Sequence, residues 1–190
     1  MRLWDRKAGF YSRFRSLPLI RQVLRREIEA ARRLLGTNNQ APAYVLDVGT
    51  GSGVGLPAFP AGVKIVGLDR SLAMLRQMPA DVPMLRVAGD ALRLPFADGR
   101  FSLVAAVGIS EYLQDQETFV SELGRVCAAG GRCLVTLAPW SVPNVLRIFL
   151  GHRLHLLNPE RWMQNVGTRG FSVLKTARAG FQFLVLLGKV

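Results

Sequence analysis

Two cysteines, Cys127 and Cys133, and two histidines, His152 and His155, are all that 190 residues contain. The cysteine spacing fits no metal motif and cannot build a disulfide framework, so both are expected as buried thiols in a reducing, cytoplasmic setting. The histidines lie three apart with no carboxylate or cysteine nearby, which suits a helix face and argues against a metal site. Long apolar runs are missing too. No stretch reaches the roughly 18 residues of a membrane span, and Met1–Phe14 lacks the apolar centre of a signal peptide. Acidic residues are scarce, with 13 Asp and Glu against 25 Lys and Arg and a formal net charge of +12.

Apolar residues, by contrast, make up 49% of the chain, which excludes a disordered polymer. The length suits one domain with a real core. Residues 1–33 hold ten Lys/Arg against three acids, more than half of the excess charge. Such a segment is either a solvated helix face or a contact for nucleic acid, an anionic membrane surface or an acidic substrate.

Apolar spacing predicts a helix over 19–35, with Gly36 as its stop. Strands are expected at 43–48, 63–68, 84–88, 101–107 and 132–138, with a closing pair at 171–177 and 181–187 joined by Ala179-Gly180. Helices are expected from the cap Ser71 to Met78, from the cap Asp115 up to Gly130-Gly131, and from Asn158-Pro159 to Gly167. Pro57 and Pro60 limit any helix after the first strand to about 52–58. Residues 139–157 are apolar but irregular. Strands alternating with helices predict an α/β fold, a parallel sheet with helices on both faces.

In such sheets ligands bind beyond the carboxyl ends of the strands. The first strand runs into Asp47-Val48-Gly49-Thr50-Gly51-Ser52-Gly53, where missing side chains let a ligand lie against the backbone. The second ends at Asp69, 22 residues after Asp47, placed to accept from a ribose diol. The third ends at Gly89-Asp90, where a carboxylate could accept from the exocyclic amine of adenine or close a turn. The fourth ends at Gly108-Ile109-Ser110-Glu111. These residues describe a pocket for an adenosine-containing molecule. The dinucleotide pattern G-x-G-x-x-G is not met: from Gly49 its last position is Val54, and from Gly51 it is Leu56. Gly53-x-Gly55-x-x-Ala58 fits a looser form, but Pro57 interrupts the helix that should face the phosphates. Asp47 would also repel a pyrophosphate and suits a cationic ligand.

At these positions the sequence resembles the class I S-adenosylmethionine-dependent methyltransferases. Val45–Gly53 is similar to their first motif, and Val66-Gly67-Leu68-Asp69-Arg70-Ser71 to the second. Gly89-Asp90-Ala91-Leu92-Arg93-Leu94-Pro95-Phe96, then Phe101-Ser102-Leu103-Val104, resembles the type 11 group, as does Glu122-Leu123-x-Arg125-Val126-x-x-x-Gly130-Gly131. A weaker likeness joins Trp4-Asp5-x-x-Ala8-x-x-Tyr11-Ser12 to the ubiquinone/menaquinone-biosynthesis methyltransferases. Where the family often has His after strand four, Tyr112 stands here.

The resemblance implies a Rossmann-like, seven-stranded, mostly parallel sheet with an antiparallel last strand. It implies S-adenosyl-L-methionine as cofactor, S-adenosyl-L-homocysteine as product, and no metal. Tyr11, Asp47, Gly49, Thr50, Gly51, Gly53, Asp69, Arg70, Leu72, Gly89, Asp90, Ala91, Gly108 and Ile109 would bind the cofactor. No catalytic base stands out among Glu111, Tyr112, Tyr11, His152 and His155. The single domain would divide into a basic cap and helix (1–36), a cofactor core (43–138), an acceptor lid or edge-packing helix (139–157) and a closing helix and hairpin (158–190). The expected reaction is methyl transfer to a small, hydrophobic or lipid-like acceptor in the cytoplasm or at a membrane periphery. A nucleic-acid methyltransferase and a non-catalytic cofactor-binding protein are the alternatives, with a nicotinamide oxidoreductase a weaker one.

Overall fold

Alternation along the central strands sets the architecture. In β1 (Tyr44–Val48), Val45 faces one side and Leu46 and Val48 the other; in β4 (Phe101–Ala106), Leu103 and Ala105 oppose Val104 and Ala106. All seven are buried, so the sheet is covered on both faces. The computed structural model describes residues 17–36, 44–149 and 151–190.

Around β1 and β4 lie β2 (Lys64–Asp69), β3 (Met84–Ala88), β5 (Cys127–Leu137), β6 (Phe171–Ala179) and β7 (Gln182–Lys189). The order is β3-β2-β1-β4-β5-β7-β6, parallel except for β7, which is antiparallel to both neighbours. The chain runs outward from β1 to β3 and then crosses back to β4. The crevice between β1 and β4 is therefore the switch point, where ligands of such sheets bind.

One face is covered by α1 (Pro18–Leu35). Its Ala31, Leu34 and Leu35 pack with Val45, Leu103, Leu134, Leu184 and Leu186. Each fully buried Leu or Val contributes about 1.5–3 kcal/mol. Gly36, with φ 68°, ends α1 and donates its N–H to Arg32 O. After β1 the chain makes turns, then a short 3-10 turn, Leu56–Ala58, with Pro57 in its first positions. The short helix expected at 52–58 is thus reduced to this turn. Ala58 and Phe59 fold back into the cluster beneath α1, so α1 covers what a longer helix here would have covered.

On the other face lie α3 (Gln116–Val126) and α5 (Pro159–Gly167), with Phe119, Leu123, Trp162 and Val166 buried. Asp115 and Asn158 cap them by accepting from Thr118 N and Arg161 N. The short α2 (Leu72–Arg76) is capped by Ser71 and ends before Met78, the end expected from sequence. Glu122 and Arg125 of the fourth motif have a structural task. Arg125 donates to Glu122, Asp98, Leu94 O and Phe96 O, and Glu122 accepts from Leu94 N, tying α3 to the loop before β4. The bonds from Arg125 hold the Glu122 carboxyl below its ordinary range despite some burial.

Two further sequence expectations are corrected. Gly130-Gly131 does not end α3: the helix stops at Val126 and β5 begins at Cys127. The two glycines lie in a bulge, where Phe101 pairs with Cys127 but Leu103 with Arg132. The histidines share no helix face, because α4 (Val142–Phe149) ends before them.

The bulge leaves no room for a side chain at Gly131. A Cβ there would sit 2.8 Å from both Ala128 O and Cys127 Sγ, and 3.2 Å from Ser102 O. Gly131→Ala should destabilise the protein by about 1–3 kcal/mol. Gly167→Ala, at a helical site with open space, should be neutral or stabilising by up to about 1 kcal/mol. Denaturant titration of the two variants checks the contrast.

Candidate functional site

The carboxyl ends of β1, β2 and β4, the first turns of α1 and the start of β7 enclose a cavity of about 250 Å³. Gly49, Gly51 and Gly53 have φ of 76°, 56° and 82°, left-handed values that disfavour any side chain. The loop is fastened from β2. Gly49 N and Thr50 N donate to Leu68 O at 2.7 and 3.0 Å. Asp69 Oδ2 accepts from Gly51 N at 2.9 Å, and its Oδ1 accepts from Ser71 N at 2.8 Å. Asp69 therefore joins the glycine loop to the cap of α2.

Asp47 lies one residue before the end of β1, 3% exposed, with Oδ2 lacking any hydrogen-bond partner. Burial pushes its carboxyl up to about 7; the Thr50 hydroxyl opposes this and the Asp69 carboxylate adds to it. Asp90 Oδ1 accepts from Leu92 N at 3.0 Å, so the turn reading of this residue is realised beside the cavity.

After β4, Gly108 N donates to Thr136 Oγ1 at 2.7 Å and the Ser110 hydroxyl to Thr136 O at 2.5 Å. These bonds aim a 3-10 turn, Ser110–Tyr112, at the cavity. Glu111 is fully buried; its Oε1 accepts from Arg147 Nη2 at 3.2 Å and Gln182 Nε2 at 2.8 Å. Arg147 Nη2 also donates to the Tyr112 hydroxyl, which lies 3.1 Å from His152 Nδ1. Asn144 anchors α4 by donating to Pro139 O and Phe181 O and accepting from Arg147 Nη1. The 139–157 stretch is thus held from inside by polar groups. Its apolar Val142, Leu146 and Phe149, with Trp140 before them, are exposed.

Of the residues singled out from sequence, Asp47, Gly49, Thr50, Gly51, Asp69, Arg70, Gly89, Asp90, Ala91, Gly108, Ile109, Glu111, Tyr112 and His152 border this cavity. Gly53, Leu72 and His155 do not. Gly53 faces Leu56 and Met78, and Leu72 and His155 are exposed. Tyr11 lies outside the described residues. Sequence reasoning missed Arg147, Gln182, Phe181 and the α1 wall of Ile20, Val23, Leu24, Glu27 and Ile28. One signal for Glu27 was available: it sits on the apolar stripe of α1, where it is buried and accepts from Phe181 N. Among the described residues no group of three or more His, Cys, Asp or Glu could hold a metal ion, and no helix is long and apolar enough to cross a membrane.

Residues 46–135 match the family model described as "Methyltransferase domain". The chain is 36% identical to demethylmenaquinone methyltransferase of Streptomyces avermitilis over 116 residues, 60% of this chain and 48% of that protein. It is 32% identical to phosphatidylethanolamine N-methyltransferase of Cereibacter sphaeroides over 111 residues, 55% of each. The chain thus spans about half the length of these curated relatives. Among solved structures it resembles magnesium protoporphyrin IX methyltransferase from Synechocystis, which holds bound S-adenosylhomocysteine (TM-score 0.79, 16% identity, 98% of this chain and 97% of that one). The sheet order and the cavity at its strand ends define a Rossmann-like methyltransferase fold. Over residues 46–135 the chain is similar to this methyltransferase domain family, and along its length it shares the fold of the solved methyltransferase.

The raised carboxyl of Asp47 gives a stability test. An acid whose folded pKa lies above its unfolded value stabilises most at low pH, and this contribution is lost as pH rises through the folded pKa, here about 7. Between pH 5 and 8 the protein should lose about 2–3 kcal/mol relative to Asp47→Asn. Urea titrations of both proteins across that range check it.

Proposed function

We propose that this chain transfers a methyl group from S-adenosylmethionine to a small, apolar acceptor held beneath α1 and α4. The observation that carries the reading is Asp47, a buried carboxylate with an unpartnered oxygen beside three left-handed glycines. That arrangement fits an adenosyl ligand bearing positive charge and opposes a pyrophosphate. Asp69, Asp90 and the backbone of Gly49–Gly51 would hold the adenosyl and amino-acid parts, with Gly108 and Ile109 closing over the reacting end.

When bound, the cofactor would supply a methyl group already activated by its sulfonium. The chain's own residues hold the acceptor in line, at about 3–3.5 Å from the methyl, and keep water away. Ile20, Val23, Leu24 and Ile28 provide an apolar wall for this. Relatives whose names specify a demethylmenaquinone and a phosphatidylethanolamine as substrates support an apolar or lipid-like acceptor.

The exposed apolar side of α4 and the exposed Arg21, Arg25 and Arg26 of α1, two helices that both border the cavity, support work at an anionic membrane surface. The same arginines also suit nucleic acid, the alternative reading of the basic N-terminal segment.

Incubation with tritiated S-adenosylmethionine and a panel of acceptors tests the reading. Hydroquinones and phospholipids are offered in anionic vesicles, beside small polar amines and RNA. Label should enter the vesicle-borne compounds, and Asp69→Ala should reduce cofactor affinity by about tenfold or more. Label in RNA alone would overturn the acceptor class.

A further inference from the structure

Where the turn after β4 meets the start of β7, two buried hydrogen-bond acceptors that border the cavity lack partners. Glu111 is fully buried and Gln182 is 6% exposed. Gln182 Nε2 and Arg147 Nη2 both donate to Glu111 Oε1, leaving Glu111 Oε2 and Gln182 Oε1 without a partner. The nearby donors are engaged: Arg147 Nη1 with Asn144, and Nη2 with Glu111 and the Tyr112 hydroxyl. Buried polar atoms are almost always paired, so two orphaned acceptors bordering one cavity call for a ligand. The ligand that satisfies them must donate.

We infer that Glu111 and Gln182 form a subsite for a hydrogen-bond donor, so the acceptor presents an O–H or N–H there. The inference rests on the methyltransferase reading of this cavity and deepens it to a substrate class. The ion pair with Arg147 neutralises Glu111, so a neutral hydroxyl is accommodated as readily as an amine. An ether, an ester or a bare hydrocarbon at the same place leaves both acceptors unpaired in a desolvated site, which is how a buried polar pocket rejects an isostere. Glu111 and Gln182 are positioning residues here. They lie 71 residues apart in the sequence, brought together because β7 returns antiparallel beside β5, whose Thr136 orients the 110–112 turn.

The cofactor's own ammonium is the other source of such a donor, so binding is measured on protein saturated with S-adenosylhomocysteine. The probes are 1-naphthylamine, 1-naphthol and 1-methylnaphthalene, which share a ring and differ in one group. Naphthylamine should bind about tenfold or more tighter than methylnaphthalene. Naphthol matching the amine marks a site indifferent between hydroxyl and amine; weaker binding marks an amine site. In Glu111→Gln the two donors at Oε1 keep the amide oxygen there and turn its NH₂ toward the cavity. The preference for naphthylamine should then fall below about twofold. If that variant does not fold, Gln182→Met and the unaltered protein carry the test. Equal binding of the three probes, no binding of any, or a preference that survives Glu111→Gln overturns the inference. Failure of the unaltered chain to bind S-adenosylhomocysteine would instead overturn the cofactor reading beneath it.

Discussion

A carboxylate sealed at the end of the central strand is the constraint around which the rest is arranged. Asp47 sits where β1 is flanked by β2 and β4, shielded from water and with one oxygen unpaired. Burying a charge without a partner is costly, and the carboxyl responds by rising to about 7. The loop after it must bring backbone close without side chains, which only glycine does at these positive φ values. Asp69 then fixes the loop to the next strand through Gly51 N and Ser71 N. A buried, unpaired carboxyl at a strand end of this kind suits a site that a ligand completes.

The prolines after the loop become intelligible from packing. Pro57 opens a 3-10 turn, Pro60 follows without an N–H to extend it, and Ala58 and Phe59 pack back under α1. The helix N-terminal to the sheet thus takes over one face and, with Ile20 to Ile28, also walls the cavity. Core packing and site enclosure are in this way two tasks of one helix. Its Glu27, by accepting from Phe181 N, ties the wall to the hairpin that delivers Gln182.

Most of the strands and the loop carboxylates were legible because they depend on local pattern: apolar runs, glycine spacing, and acids at strand ends. The α5 boundaries were legible because Asn158 and Pro159 are both cap and first helical residue. What could not be read depends on distant chain segments meeting. Gln182 looks like an ordinary first residue of a strand until β7 lies beside β5. Arg147 looks like a solvated cation until Asn144 turns α4 inward. Gly130-Gly131 carry the signal of a helix stop and also that of a bulge, and only the pairing with β4 decides between them.

Two carboxylate oxygens bordering the cavity lack hydrogen-bond partners, one on Asp47, which forms no ion pair among the described residues, and one on Glu111, which is ion-paired with Arg147. This polarity is what separates a cationic adenosyl ligand from a nicotinamide dinucleotide with its two phosphates. Calorimetric titration of the unaltered chain with S-adenosylmethionine and with NAD, at pH 6 and pH 8, tests that most directly. Saturable binding of S-adenosylmethionine that tightens toward pH 8, as Asp47 ionises, with no heat from NAD, is the predicted result. Binding of NAD without S-adenosylmethionine would contradict it.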